Sequence, residues 1–78
     1  MTRNALDSLN YPDILDGIDR HIRCDWGDVS SGDWAENDWS LEHNERILSS
    51  YKDRLGVKFW IITERDRSAT TVLLPEDY

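Results

Sequence analysis

The chain has 78 residues, of which 9 are Lys or Arg and 16 are Asp or Glu, so its formal net charge is −7. This length corresponds to a single domain, 1–78, and excludes an enzyme with separate substrate and cofactor lobes. The negative charge argues against nucleic acid or an anionic membrane as the main partner and favours a basic protein. The longest apolar run, Phe59 to Ile62, is far shorter than the roughly 20 residues of a membrane helix.

The N-terminal half is predicted to contain two helices. Residues 1–10 have no clear period and are predicted to form a flexible arm. Apolar residues then recur every three or four positions, with a proline in the first turn, which predicts a helix from Pro12 to Arg23. Ser30 or Ser31 is expected to cap a second helix that ends near His43.

The C-terminal half alternates with a period of two, which is typical of strands. Strands are predicted from 46 to 51, from 57 to 63 and from 70 to 74, with turns at 53–56 and 64–68. The predicted fold class is therefore α+β: two N-terminal helices followed by a three-stranded antiparallel β-meander.

Two helices can cover only one face of such a sheet. Trp60, Ile62 and Leu73 are the candidates for the other face, and an exposed apolar patch of this kind needs a protein contact. A homodimer through these three residues is one expectation. The alternative is that the N-terminal arm folds over the face with Leu6 and Leu9.

The whole net charge lies in one segment that also holds three of the four tryptophans. Residues 25–45 contain seven acids and no Lys or Arg, while the rest of the chain has nine acids and nine bases. We call these seven acids the acidic block: Asp25, Asp28, Asp33, Glu36, Asp38, Glu42 and Glu45. On a helix, Asp38, Glu42 and Glu45 would share one face at intervals of about 6 Å, comparable with the phosphates along a DNA strand.

The tryptophans of this segment are Trp26, Trp34 and Trp39. Trp34 and Trp39 would lie about 140° apart around a helix, so they cannot both face the same core. One is expected in the core, and the other is expected to anchor a partner protein together with the acidic block. The alternative interpretation is a solvated acidic face, with both tryptophans packed at the edge of the domain.

The sequence gives little support for catalysis or metal binding. His21 and Cys24 have the spacing of one ligand pair and His43 could add a third ligand, but the second close pair of a structural zinc site is missing. The acids do not follow the spacing of an EF-hand loop, and no nucleophile elbow, phosphate loop or dinucleotide motif is present. We therefore predict a protein that is not an enzyme and that has no cofactor and no metal.

The number of cysteines and the composition of the first residues indicate the cellular compartment. Cys24 is the single cysteine, and the first twenty residues contain no basic stretch followed by an apolar one. These features predict a cytoplasmic protein.

The C-terminal third resembles the ending of a family of small acidic proteins from plasmids, integrative elements and prophages of proteobacteria. The similar stretches are KFWIITE at 58–64, DRS at 66–68 and TTVLLPEDY at 70–78, and the likeness extends to RH at 20–21, DWGD at 25–28 and DW at 33–34. Cys24 and Arg65 stand where the family pattern often has glycine and alanine. The resemblance implies a phage or mobile-genetic-element protein of a bacterial host cell. Small acidic proteins of this origin are similar to inhibitors of host defence, including anti-CRISPR proteins and DNA mimics, whose partner would be a CRISPR effector subunit.

Overall fold

The computed structural model describes all residues from Met1 to Tyr78 and shows a mixed α+β fold, which confirms the predicted class. Three helices precede three strands: α1 (Arg3–Ser8), α2 (Tyr11–Ile22), α3 (Ser31–His43), β1 (Ile47–Lys52), β2 (Lys58–Thr63) and β3 (Thr70–Leu73). A short 3₁₀ turn follows at Pro75–Asp77. None of the helices is long and apolar enough to cross a membrane.

The first ten residues contain a helix where the sequence predicts only an arm. The Thr2 hydroxyl caps α1 by accepting a hydrogen bond from the Ala5 N–H at 3.2 Å. The Thr2 N–H donates to the Val72 carbonyl of β3 at 3.0 Å. Ala5 and Leu9 are buried, whereas Leu6 is exposed. The prediction of two helices is therefore corrected to three. The Thr2 cap and the burial of Ala5 and Leu9 hold this helix in place, but it is too short for its apolar residues to show a helical period.

A glycine brings α2 close to the sheet. Ile14, Gly17 and His21 are its buried residues, at the spacing of three and four that places them on one face. A Cβ added at Gly17 would lie 2.9 Å from the Phe59 ring, so a larger residue would push the helix away from β2. The ends of α2 lie within one residue of the predicted ends.

α3 begins and ends as predicted, but it does not pack through an apolar face. Ser30 Oγ accepts a hydrogen bond from the Asp33 N–H at 3.1 Å, and Asn44 ends the helix with a left-handed backbone at φ 56°. The residues that α3 buries are polar, namely Asn37 and Ser40. Its attachment to the sheet therefore depends on hydrogen bonds.

Hydrogen bonds from outside the sheet close the outer edge of β1. The Asn37 carboxamide accepts from the Leu48 N–H at 3.3 Å and donates to the Leu48 carbonyl at 2.7 Å. Two residues along, the Ser50 N–H donates to the Trp26 carbonyl at 3.1 Å, and the Asp28 N–H donates to the Ser50 carbonyl at 2.7 Å. These bonds satisfy an edge that would otherwise be open to another strand, and they position α3 and the acidic block beside β1.

The sheet has the order β1-β2-β3 with antiparallel neighbours. Side chains alternate between its two faces. The main core combines strand residues from one face with residues of α1, α2 and their flanking segments: Ala5, Leu9, Ile14, Tyr51, Phe59, Ile61, Val72 and Leu74. Leu9 therefore packs on the opposite side of the sheet from Trp60, not over Trp60 as the arm alternative expects.

The second face of the sheet is not an open apolar patch. Ile62 and Leu73 are only 4% and 6% exposed, and Trp60 is half-buried. The Tyr78 ring lies edge-on to Trp60 at 5.9 Å, and the Arg46 guanidinium lies 5.4 Å from the centre of the Tyr78 ring. The expectation of an exposed face at Trp60, Ile62 and Leu73 is corrected, because the chain itself buries two of the three residues.

Candidate protein-binding surface

The acidic block occupies the connection between α2 and α3, α3 itself and the residues just after it. Five of its seven members are exposed, and Asp25 and Glu45 are half-buried. The same five exposed acids form no ion pair: Asp28, Asp33, Glu36, Asp38 and Glu42. This part of the surface therefore carries uncompensated negative charge.

Asp25 differs from these five because it has a partner within the chain. Its Oδ2 accepts a hydrogen bond from Arg20 Nε at 2.9 Å, and the Arg20 guanidinium lies 4.8 Å from the centre of the Tyr51 ring. The hydrogen bond from Arg20 lowers the pKa of Asp25 below its usual value, and the Gly27 N–H adds to this effect. Asp25 therefore stabilises the start of the connection between α2 and α3, and its charge is compensated by Arg20.

The predicted row of three carboxylates is shorter than expected. Asn44 ends α3 with a left-handed backbone, so Glu45 does not continue the helical spacing. The Glu45 carboxylate also lies 4.0 Å from the Arg65 guanidinium, which partly compensates its charge. Only Asp38 and Glu42 remain as neighbours one turn apart on α3.

The other acids of α3 lie on a different side of the helix. Glu36 and Asp38 point about 160° apart around the helix axis. Asp33 and Glu36 border a notch of about 230 Å³ that Arg46 and Leu48 also line. The four acids on α3 therefore lie in two groups on different sides of the helix, and the structure does not gather all seven acids on one face.

The three tryptophans of the segment have three different environments. Trp26 is 1% exposed, and its indole N–H donates to Asp38 Oδ1 at 2.9 Å. Trp34 is half-buried. Trp39 is 53% exposed and stacks on His43 with ring centres 4.1 Å apart. Among the two candidate anchors, Trp39 is the one with a large accessible area.

A buried histidine of α2 contacts the sheet, and the sequence suggests it only as one ligand of an incomplete zinc site. His21 Nδ1 lies 2.6 Å from Ser49 Oγ, and Nε2 lies 2.8 Å from Thr63 Oγ1. Burial lowers the pKa of His21 to about 4, so the imidazole is neutral at pH 7. Both ring nitrogens bond to hydroxyl groups, and the Thr63 hydroxyl continues to Thr70 Oγ1 at 3.0 Å. The signal for its burial is its spacing of seven from Ile14 on α2.

A mostly apolar cleft of about 300 Å³ opens beside His21. Residues of α2, α3 and the sheet line it: Ile18, His21, Ile22, Cys24, Trp26, Leu41, Ile47, Thr63, Arg67 and Thr70. Ile22 is 73% exposed and Leu41 is 45% exposed, so large apolar side chains form its rim. The sequence does not predict this cleft, because it forms only where α2, α3 and the sheet pack together.

The histidines and the cysteine do not form a metal site. No three His, Cys, Asp or Glu side chains are grouped closely enough to hold a metal ion. His21 bonds to hydroxyl groups, as described above, and His43 Nδ1 lies 2.8 Å from the Trp39 carbonyl. Cys24 is half-buried just beyond α2 with a positive φ of 64°.

Comparisons with known proteins assign no family to this chain. No family model, no curated protein and no solved structure matches it.

Proposed function

We propose that this protein binds and inhibits a host nucleic-acid-handling defence complex, with a CRISPR effector subunit as its target, and that it does so without catalysis. The observation that carries the proposal is the set of five exposed acids without ion pairs, in a segment that has no Lys or Arg. A basic groove that binds phosphates attracts such carboxylates, so the protein would act as a DNA mimic. The proposal places it in the cytoplasm of a bacterial cell, encoded by a phage or another mobile element.

Trp39 is the proposed apolar anchor of this contact. Its ring is exposed, and it lies three positions from both Glu36 and Glu42 along α3. Tryptophans that become buried at the centre of an interface often contribute much of the binding energy. A ring stacked on His43 has fewer orientations to lose on binding, which reduces the entropy cost of the contact.

The test exchanges three carboxylates that make no hydrogen bond within the chain: Asp33→Asn, Glu36→Gln and Glu42→Gln. A matched control carries the same charge change outside the acidic block, at Asp16→Asn, Glu64→Gln and Glu76→Gln. The measurement is the binding of a labelled DNA duplex to a purified CRISPR effector complex, at increasing concentrations of each protein and at two salt concentrations.

The unchanged protein is expected to block DNA binding, and its effect should weaken steeply with salt because exposed charges are screened. The variant with three exchanged acids of the acidic block should no longer inhibit DNA binding, and the control variant should inhibit it as the unchanged protein does. Equal inhibition by the unchanged protein and by the variant of the acidic block would contradict the proposal.

The alternative function is a structural or regulatory homodimer through Trp60, Ile62 and Leu73, with the acids serving solubility. It has less support, because Ile62 and Leu73 are buried within the chain. Sedimentation equilibrium over a wide concentration range tests it directly. A monomer at the highest concentration would remove this alternative.

A further inference from the structure

An apolar stripe runs along α2 and is largely exposed, with Ile18 packed against the core. Tyr11, Leu15, Ile18 and Ile22 follow one another at intervals of four, three and four, so they lie on one side of the helix. Tyr11 is 57% exposed, Leu15 is 49% exposed and Ile22 is 73% exposed, while Ile18 is half-buried. We call these four residues the α2 stripe. Their spacing is that of a helix–helix contact.

The α2 stripe continues into the apolar cleft. Ile18 and Ile22 belong to both, and Leu41 of α3 forms the opposite rim of the cleft. The strongest polar groups in the wall are already paired. The Trp26 N–H bonds to Asp38, both His21 nitrogens bond to hydroxyls, and the Arg67 guanidinium donates to the carbonyls of Ser40 and Glu45. The cleft therefore offers mainly apolar contact, and an apolar side chain fits it better than a charged or strongly polar one.

The charges around the cleft indicate what kind of chain would occupy it. On α3, the exposed acid Asp38 lies three positions before Leu41, and the exposed acid Glu42 lies one position after it. On α2, Asp19 and Arg23 neutralise each other at 3.1 Å. A second copy of this chain would bring its own acidic block toward the same surface, which like-charge repulsion disfavours. The one cation in the cleft wall is Arg67, so a partner complements the surface where its Lys or Arg residues meet Asp38 and Glu42.

We propose that the α2 stripe and the cleft form one groove that binds an amphipathic helix of the partner, with apolar residues on one side and Lys or Arg next to them. The stripe spans 11 steps of helix, about 17 Å, which matches three turns of a bound helix. The apolar residues enter the groove and the basic residues pair with Asp38 and Glu42. The inference rests on the proposed function in one respect, since it takes the partner to be basic.

The test uses a fluorescently labelled synthetic peptide of Leu and Lys, about five helical turns long and patterned to be amphipathic at 3.6 residues per turn. A peptide of the same composition in scrambled order is the peptide control. The stripe variant is Leu15→Gln with Ile22→Gln. Its matched control is Leu6→Gln with Leu55→Gln, two exposed residues outside the groove at 54% and 82% exposure. Fluorescence anisotropy gives the dissociation constants, and circular dichroism checks that both variants are folded.

The patterned peptide is expected to bind more tightly than the scrambled one. The stripe variant should weaken it roughly tenfold or more, because two apolar contacts are lost. The Leu6 and Leu55 control should bind the peptide as the unchanged protein does. Glu42→Gln should raise the dissociation constant at low salt, and this difference should disappear at high salt because exposed charges are screened.

Other results would overturn the inference and separate it from the proposed function. If Glu42→Gln weakens the peptide but the stripe variant does not, binding is purely electrostatic, the groove is not used and the proposed function stands. If the stripe variant weakens the peptide but Glu42→Gln has no effect, the basic part of the inference is wrong. If sedimentation shows a dimer that the stripe variant dissociates, the groove binds a second copy and the proposed partner is wrong.

Discussion

Asp38 on α3 accepts a 2.9 Å hydrogen bond from the indole N–H of Trp26, which is the largest fully buried side chain of the protein. Trp26 also lies edge-on to His21, and its carbonyl accepts the Ser50 N–H at the edge of β1. One member of the acidic block therefore connects α3 to the core, in addition to carrying surface charge. Substitutions in the block should have two distinguishable kinds of effect, one on stability and one on binding.

We expect Asp38→Ala to lower the free energy of unfolding by about 1–3 kcal/mol, because it leaves the indole N–H of Trp26 buried without an acceptor. Glu42→Ala, at an exposed carboxylate without a bond, should change it by less than about 0.5 kcal/mol. Asp38→Asn keeps an acceptor oxygen and should fall between them. Urea denaturation followed by tryptophan fluorescence measures the differences, and equal values for Asp38→Ala and Glu42→Ala would contradict this role.

The pairing of Asn37 with Leu48 gives a second prediction about how α3 is attached. Asn37→Ala removes two hydrogen bonds from the β1 edge, so we expect a loss of about 2 kcal/mol in the free energy of unfolding. Hydrogen exchange of the Leu48 N–H should accelerate more than that of the interior strand. Asn37→Asp can still accept from the Leu48 N–H but cannot donate to its carbonyl, so it should recover only part of the loss. Normal exchange at Leu48 in Asn37→Ala would show that α3 is held by other contacts.

The predictable parts of the fold are the elements that local sequence patterns mark. The period of α2, the Ser30 cap of α3 and the glycine at position 56 after β1 are local signals, and the observed elements match them within about one residue. α1 was missed because a helix of six residues is too short for a period to be visible. Its stability comes from the distant bond between the Thr2 N–H and Val72.

The candidate site was predictable in composition but not in arrangement. The concentration of acids in residues 25–45 is visible in the sequence, yet the pairing of Asp25 with Arg20 depends on where the chain turns after α2. Glu45 does not extend the row of acids on α3, because the left-handed backbone of Asn44 turns the chain away after His43 and polar spacing alone does not predict that turn. The cleft was not predictable, because its rim residues Ile22 and Leu41 come together only when α3 is held in place, by bonds that include Asn37 to Leu48 and Trp26 to Asp38.

Three glycines should respond differently to alanine. Gly27 has φ +73°, and a Cβ there would lie 2.1 Å from the Ser50 carbonyl oxygen, so we expect Gly27→Ala to cost at least about 3 kcal/mol. Gly56 has φ +82° but open space around it, so Gly56→Ala should cost about 1 kcal/mol. Gly32 lies in the first turn of α3 without a close contact, and Gly32→Ala should be neutral or stabilise by up to about 1 kcal/mol. Thermal denaturation of the three variants gives the order, and a Gly27→Ala protein as stable as Gly56→Ala would contradict the close approach to Ser50.

His21 should make the stability depend on pH in a defined range. Its pKa in the folded protein is about 4, below the ordinary value of 6.5, because it is buried. As pH falls from 6.5 to 4, the unfolded chain binds a proton that the folded protein does not, so the free energy of unfolding falls with pH over this range. The full shift corresponds to about 3 kcal/mol, and solvent at the mouth of the cleft should reduce it to about 2 kcal/mol.

The slope between pH 6.5 and 4 separates His21 from the carboxylates. Hydrogen bonds lower the pKa values of Asp13, Asp25 and Asp77 below the ordinary 3.8, so their contributions to stability are lost only as pH falls below that value. His21→Gln can still bond to Ser49 and Thr63 but cannot be protonated, so its free energy of unfolding should be nearly constant between pH 6.5 and 4. Urea denaturation at half-unit steps of pH measures both proteins. An equal slope in His21→Gln and the unchanged protein would assign the titration to another group, whatever the absolute stability of the variant.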